Sequence, residues 1–309
     1  MPRPNWQPGG CSALPERAMH RRGLILGAGS AALAGLWPRR PWFAAAAAEP
    51  AQAFALAGQL VQGGWARGLA PRGTRALRFN GQPVPLAADG RFFIAFDRDS
   101  GPAARLVAEA DDGSLADYLL TIARRAWKIE HVGVGPRPGA VPSEDFARRR
   151  AAELAQIKAA RAVERAAEGW RQKMIWPAIG RLSGRFGSQR IYNGTPGGYH
   201  SGTDIATGTS GTPFVAPADG VVMLAAQSPF SLEGLLLMID HGMGLNSAFL
   251  HCSALAVGPG EAVRQGQFIG RIGATGRATG PHMHWSLKWR EARLDPELFV
   301  PPMPASAKP

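Results

Sequence analysis

The chain has 309 residues, of which 45% are hydrophobic and 19% charged, so it can bury a core and is not globally disordered. Glycine and proline are abundant, with 39 and 26 residues, which favours turn-rich β structure over a helical bundle. Two cysteines exclude a disulfide framework. A net charge of +12 attracts anions such as nucleic acid, anionic lipid or an acidic cell-wall polymer without choosing between them, and most of these charges are explained by a solvated basic surface.

Residues 1–48 have the pattern of an export signal. Arg21 and Arg22 precede the uncharged apolar run 23–36, which is too short to span a bilayer and is typical of a signal-peptide core. The arginine pair indicates a twin-arginine signal, and we expect an exported protein of the periplasm or cell envelope. The alternatives are an uncleaved segment, which would keep the protein close to a membrane, or a chain that starts at Met19.

Residues 49–132 predict a small N-terminal β-sandwich. Phe92, Ile94 and Phe96 alternate with other residues, and turn signals such as Asp89-Gly90 separate the short apolar runs. This region has no clustered histidines, cysteines or carboxylates of the kind that bind metals. We therefore interpret it as a non-catalytic domain that positions or restricts the rest of the chain.

Residues 133–168 predict a linker followed by a helix. The segment 133–142 is rich in proline and glycine, and Ser143 then offers a helix cap with two acidic residues in the first turn. The pattern extends the helix to about Glu168, with only a thin apolar stripe. It is either a spacer packed along one domain or, as the lesser option, an interaction helix for a partner.

Residues 169–300 predict a second β domain, followed by a tail at 301–309. Five of the seven histidines fall between His200 and His284 in this region. Histidine is the commonest transition-metal ligand and proton shuttle in proteins, so this clustering points to a metal or acid–base site.

Two short spacings give the cluster its chemistry. His282 and His284 are two residues apart, so on a strand both imidazoles point to the same side. His200 and Asp204 are four apart around Gly202, which lets the backbone turn so that both side chains converge. Two nitrogens and one carboxylate oxygen suit Zn²⁺ with an open fourth position for water.

The segments that carry these residues resemble the LytM/lysostaphin-type zinc peptidases. The resemblance covers roughly residues 176–300 and includes the sequences Tyr-His-Ser-Gly-Thr-Asp at 199–204, Phe-Leu-His at 249–251 and Pro-His-Met-His at 281–284, in family order. It implies a mainly β protein whose C-terminal antiparallel β-sheet is the zinc peptidase domain.

The resemblance also implies a role for individual residues. His200, Asp204 and His284 match the ligands of one zinc ion per chain, and His251 and His282 match two catalytic histidines that do not bind the metal. One of these would align or deprotonate the water, and the other would stabilise the oxyanion and protonate the leaving amine; the sequence leaves their order open. The family usually has tyrosine where this chain has Phe249, a difference that we expect to affect rate or specificity.

The predicted function is a zinc-dependent endopeptidase that hydrolyses stem peptides or cross-bridges of peptidoglycan. The alternative is a non-catalytic cell-wall binding protein or amidase activator, because some members of the family have lost their zinc ligands. No recognisable nucleic-acid motif accompanies the positive charge, so we expect peptidoglycan and not nucleic acid as the partner, and a monomeric protein.

Overall fold

The computed structural model describes residues 54–133 and 143–304, and within these ranges the protein is mainly β, as predicted. The predicted export signal at 1–48 lies outside the described residues. None of the helices in the described ranges has the length and apolar character needed to cross a bilayer.

The N-terminal region forms short antiparallel strands that stop at glycine-containing turns. The strands of this region are β1 (Ala55–Gln59), β2 (Trp65–Leu69), β3 (Thr74–Phe79), β4 (Gln82–Val84), β5 (Arg91–Ala95), β6 (Ala103–Ala110), β7 (Leu115–Thr121) and β8 (Ile129–Val132). Two small sheets have the strand orders β1-β2-β5 and β4-β3-β6-β7, and both contribute buried residues to an apolar core.

A single α-helix within the described residues, α1 (Glu144–Ala162), follows. The hydroxyl of Ser143 accepts a hydrogen bond from the backbone N–H of Phe146, which confirms the predicted cap. The helix ends earlier than the predicted Glu168, because Val163 already has an extended backbone and the charged segment after it offers no apolar face to bury.

The C-terminal region is built around one antiparallel sheet of ten strands. The strands of this region are β9 (Arg181–Gly184), β10 (Gln189–Tyr192), β11 (Thr195–Pro196), β12 (Thr203–Ala206), β13 (Pro213–Val215), β14 (Gly220–Ala225), β15 (Leu235–Gly242), β16 (Leu245–Leu255), β17 (Ala262–Val263), β18 (Phe268–Ile272), β19 (Met283–Trp289) and β20 (Ala292–Leu294). The main path of the sheet has the order β17-β14-β15-β16-β19-β12-β9, and β13, β18 and β20 pair at its side. Strands β10 and β11 belong to a separate three-stranded sheet with β8.

The two β regions are joined by a strand pairing and by a common apolar core. Strand β8 of the N-terminal region pairs in parallel with β10, next to the candidate site. The ring of Trp289 lies 5.9 Å from that of Phe79 and 6.3 Å from that of Phe93, between centroids. One apolar cluster therefore contains buried residues of both regions. The domain boundaries after residues 132 and 168 stay predictions.

Candidate metal centre

Two paired strands place two of the predicted ligands opposite each other. Asp204 in β12 is the cross-strand partner of His284 in β19, and such partners point to the same face of a sheet. The Asp204 Oδ1 atom lies 3.0 Å from His200 Nε2 and 2.9 Å from His284 Nδ1. The two nitrogens are 3.1 Å apart. The structure thus brings the three predicted ligands to one point.

The local backbone fixes the orientation of these donors. The carbonyl of Arg185 lies 3.1 Å from His200 Nδ1, and since a carbonyl can only accept, Nδ1 carries the proton and Nε2 faces the other donors. A Cβ atom at Gly184 would lie 2.3 Å from the Asp204 carboxylate, and one at Gly202 would lie 2.6 Å from the His284 ring. Glycine is therefore required at both positions for the donors to converge.

The three side chains share one negative charge. Burial disfavours the charged form of Asp204, but hydrogen bonds from His200 and His284 outweigh it and hold the pKa of Asp204 well below its usual range. Burial also opposes protonation of His200, yet the hydrogen bond and the charge of Asp204 raise its pKa. At His284 burial dominates and lowers the pKa. Asp204 is thus ionised at neutral pH and can act only as an electron-pair donor.

The donor set fits a divalent metal ion. A tetrahedral ion with bonds of about 2.0–2.1 Å holds its ligand atoms roughly 3.3 Å apart. The three donor atoms are 2.9–3.1 Å from one another, which is close to that separation. Two imidazoles and one carboxylate are a ligand set that suits zinc and leaves a fourth position open.

His251 lies beside this group in a strained backbone conformation. Its φ of 66° is in the left-handed region, which non-glycine residues seldom adopt. Its Nδ1–H donates to the carbonyl of Thr275 at 2.8 Å, which leaves Nε2 as the free nitrogen. Burial lowers the pKa of His251, so the ring is neutral at pH 7. A neutral ring with a free Nε2 can accept a proton.

The left-handed backbone of His251 also determines on which face of the sheet its side chain lies. Phe249 pairs across the strands with Trp285, and Leu250 pairs with His284. Simple alternation would put His251 on the face of Phe249, where the apolar core lies. The left-handed φ breaks this alternation, and the imidazole lies against the ring of His282. Phe249 itself is fully buried, with its ring 5.3 Å from that of Phe214, so a hydroxyl on it would meet the core.

His282 completes the set of predicted residues. Its Nδ1–H donates to the carbonyl of Gly280 at 2.8 Å, and its Nε2 lies 3.9 Å from Asp204 Oδ1. The rings of His282 and His251 are 4.9 Å apart between centroids. All five predicted site residues therefore occupy one small region, with two free imidazole nitrogens next to three converging donors.

Arg98 from the N-terminal region supports the loop that carries His200. It is 6% exposed, and its Nη2 donates to the carbonyl of Gly187 at 3.0 Å and to Gln189 Oε1 at 3.1 Å. The N–H of Gly187 donates to the carbonyl of His200 at 2.8 Å. Sequence reasoning missed Arg98, because no short spacing connects it to the histidines.

Helix α1 supports the loop next to His251. The guanidinium of Arg150 holds both carboxylate oxygens of Glu233 at 2.6 and 2.7 Å. Glu153 accepts from the backbone N–H and the hydroxyl of Ser231 at 2.6 and 2.7 Å. The backbone carbonyl of Glu233 then accepts the N–H of His251 at 2.8 Å. Charged residues of the helix therefore hold the loop that precedes His251.

Two further residues of metal-binding type, His241 and Cys252, are structural. His241 is fully buried; its Nδ1–H donates to the carbonyl of Asp219, and its Nε2 accepts from the hydroxyl of Ser247. Burial lowers the pKa of His241 to about 4, so it stays neutral. Cys252 is buried, and burial raises the pKa of its thiol to about 12, as fits a small core residue.

A groove of about 870 Å³ opens beside Asp204 and His282. One wall is the start of β9, and the other is the loop that leads into β19, including Arg277 and Thr279. The volume lies in the range of ligand-binding clefts. The candidate ligands therefore face an accessible groove and not a closed core.

Comparison with known proteins gives a match at the same place in the chain. Residues 198–296 match the model of peptidase family M23. The chain is 39% identical over 108 residues to the peptidoglycan DD-endopeptidase ShyA of Vibrio cholerae, a match that covers 35% of this chain and 24% of that protein. It is 36% identical over 105 residues to the DD-carboxypeptidase/endopeptidase Mpg of Neisseria meningitidis, covering 34% and 24%. The matches span about a quarter of the length of these curated relatives.

A solved structure extends the similarity beyond this segment. The crystal structure of a putative peptidase M23 from Pseudomonas aeruginosa is 29% identical and has a TM-score of 0.57. The match covers 77% of this chain and 93% of that one, so it includes residues outside 198–296.

Proposed function

We propose that this chain, whose residues 198–296 match the model of peptidase family M23, is a zinc-dependent endopeptidase of that family that hydrolyses peptide bonds of peptidoglycan. The observation that carries the proposal is the convergence of His200 Nε2, Asp204 Oδ1 and His284 Nδ1 within 3.1 Å of one another, beside a groove. Two non-ligand histidines with free Nε2 atoms lie next to these donors. That set supports hydrolysis better than binding alone.

His200, Asp204 and His284 would hold the zinc ion, which supplies a Lewis acid and a nucleophilic water at neutral pH when bound. In this proposal His251 accepts the proton of the nucleophile at Nε2, since its Nδ1–H is committed to the Thr275 carbonyl. His282 would act in its imidazolium form: the Gly280 carbonyl accepts from its Nδ1–H, and the second proton, on Nε2, is donated to the developing oxyanion and then to the leaving amine. In the neutral state each ring has one tautomer, because a backbone carbonyl accepts from its Nδ1–H.

We also propose that the protein acts outside the cytoplasm, since peptidoglycan lies there and since residues 1–48 have the pattern of an export signal. The N-terminal β region would then support the peptidase site, as the contacts of Arg98 with the His200 loop suggest.

The test is mass spectrometry of muropeptides after digestion of purified peptidoglycan. The zinc-loaded protein is expected to convert cross-linked dimers into monomers, and the same protein stripped by a chelator is expected to leave them intact until zinc is restored. A protein that binds one zinc ion per chain yet never reduces the dimer fraction would support a non-catalytic binding role instead.

A further inference from the structure

We propose that Arg181 and Arg277 form an anion subsite in the groove, so that the preferred substrate is a peptide with a free carboxylate near the cleaved bond. This inference rests on the proposed peptidase function and names the class of peptide that the site would select. Both arginines line the groove beside Asp204 and His282. Neither side chain has a hydrogen-bond or ion-pair partner among residues 54–133 and 143–304.

Strand pairing puts Arg181 on the same side of the sheet as the metal ligands. Arg181 at the start of β9 pairs with Ala206 of β12, and Asp204 lies two residues before Ala206. Residues two apart on a strand share a face and are roughly 6.6 Å apart. Ile205 between them is fully buried in the core, so Asp204, Ala206 and Arg181 occupy the opposite, groove-facing side.

Arg277 stands on the other wall, on a backbone that cannot easily move. Its N–H donates to the carbonyl of Leu232 at 3.0 Å. The preceding Gly276 has a φ of 69°, and a Cβ there would lie 2.3 Å from the backbone nitrogen of Gly234. The same loop supplies the Thr275 carbonyl that orients His251. The guanidinium is therefore attached to a fixed part of the site.

The charge balance of the groove favours an anion. Asp204 is the sole carboxylate among the groove-lining residues, and its charge is already shared by two imidazoles. Nearby arginines differ: Arg185 pairs with Glu297, and Arg190 pairs with Glu130. Guanidinium groups bind carboxylates through two parallel hydrogen bonds, so two unpaired ones on facing walls suit a carboxylate-bearing peptide.

The experiment compares a cross-linked stem peptide that has free carboxylates with the same peptide after amidation of those carboxylates. For the zinc-loaded full chain we expect a KM at least about 10-fold lower for the free acid, from charge-assisted hydrogen bonds. Arg181→Gln and Arg277→Gln should each remove most of that preference while kcat changes little. Arg264→Gln is the matched control, because Arg264 is an exposed arginine outside the groove and should keep the preference.

Equal kcat/KM for both peptides in the wild-type protein would overturn the subsite and leave the peptidase function intact. A preference for the free acid that is unchanged in both Arg181→Gln and Arg277→Gln would likewise overturn the subsite and leave the peptidase function intact. Equilibrium binding of the two peptides to the zinc-loaded His251→Asn variant gives a second readout that does not need turnover. If the wild-type protein cleaves neither peptide, the proposed function fails. In that case tighter binding of the free acid would still support the subsite, and equal binding of the two peptides would overturn it.

Discussion

Replacing His251 by asparagine should abolish most turnover while leaving the metal in place. Asparagine is the informative choice because it tolerates the left-handed backbone that His251 adopts at φ 66°. The substitution removes the imidazole without adding backbone strain. His251 is also absent from the three donors that converge at the metal site, so their geometry should persist.

The expected losses of turnover and of folding stability follow from what the imidazole ring does. Removing a general base lowers turnover by about 10²–10⁴-fold, which corresponds to roughly 3–5 kcal/mol of transition-state stabilisation. The fold loses one partly buried hydrogen bond, from Nδ1 to the Thr275 carbonyl, at a cost of about 1 kcal/mol. The bond from the His251 backbone N–H to the Glu233 carbonyl remains.

Three measurements on one preparation check this: zinc content by elemental analysis, the unfolding midpoint, and the rate of muropeptide cleavage. His251→Ala serves as the comparison, since alanine removes the ring but is less tolerant of the left-handed conformation and should unfold more readily. Turnover within about three-fold of wild type would remove His251 from the proton transfer. Loss of stoichiometric zinc from the asparagine variant would show that it acts as a ligand.

Further predictions address the ligands, their support, the core and pH. His284→Ala should lose zinc and hydrolysis together, and a variant that kept one ion per chain by elemental analysis would contradict its role as a ligand. Arg98→Met should weaken zinc binding by about 10-fold in a chelator competition, as for other residues that orient a ligand, whereas Arg72→Met on the exposed surface should not. Phe93→Ala should lower the free energy of unfolding by about 3–5 kcal/mol, because the ring is buried. Tryptophan fluorescence and far-UV circular dichroism should still report one shared unfolding transition, because Phe93 lies in a core common to both regions. Burial lowers the pKa of His241 from 6.5 to about 4, so as the pH falls the unfolded chain binds the proton before the folded one does. The free energy of unfolding should therefore fall by up to about 3 kcal/mol between pH 6.5 and pH 4. His241→Gln should flatten this pH dependence, as measured by urea titrations.

The parts of the site that the sequence predicts are those encoded over a few residues. His282 and His284 are two apart, and His200 and Asp204 are four apart, so one strand and one glycine turn suffice to place each pair. The mainly β fold follows in the same way from alternating runs and frequent turns. The pairing of β12 with β19, which joins the two pairs, depends on the whole sheet and has no local signal.

The residues that the sequence does not reveal act over long separations. Arg98 reaches the His200 loop from 89 positions away, and Arg150 reaches Glu233 from 83 positions away. Each belongs to a type that is usually solvated when it occurs in a charged or turn-rich segment, so burial is the feature that distinguishes it. Burial is a property of the assembled core and cannot be inferred from spacing.

His251 shows why a correct strand prediction can still mislead about a site. A reading of β16 by alternation predicts that His251 shares the face of Phe249, which is fully buried in the core. An imidazole on that face would have no route to the groove, and its catalytic role would look impossible. The left-handed backbone at His251 reverses the face, and the Glu233 and Thr275 carbonyls hold it there through hydrogen bonds of 2.8 Å each. A conformation that costs roughly 1–3 kcal/mol persists only where surrounding contacts enforce it. Here those contacts leave Nε2 free and hold the ring beside His282. The alternation rule therefore fails at the residue to which the proposed mechanism assigns the proton transfer.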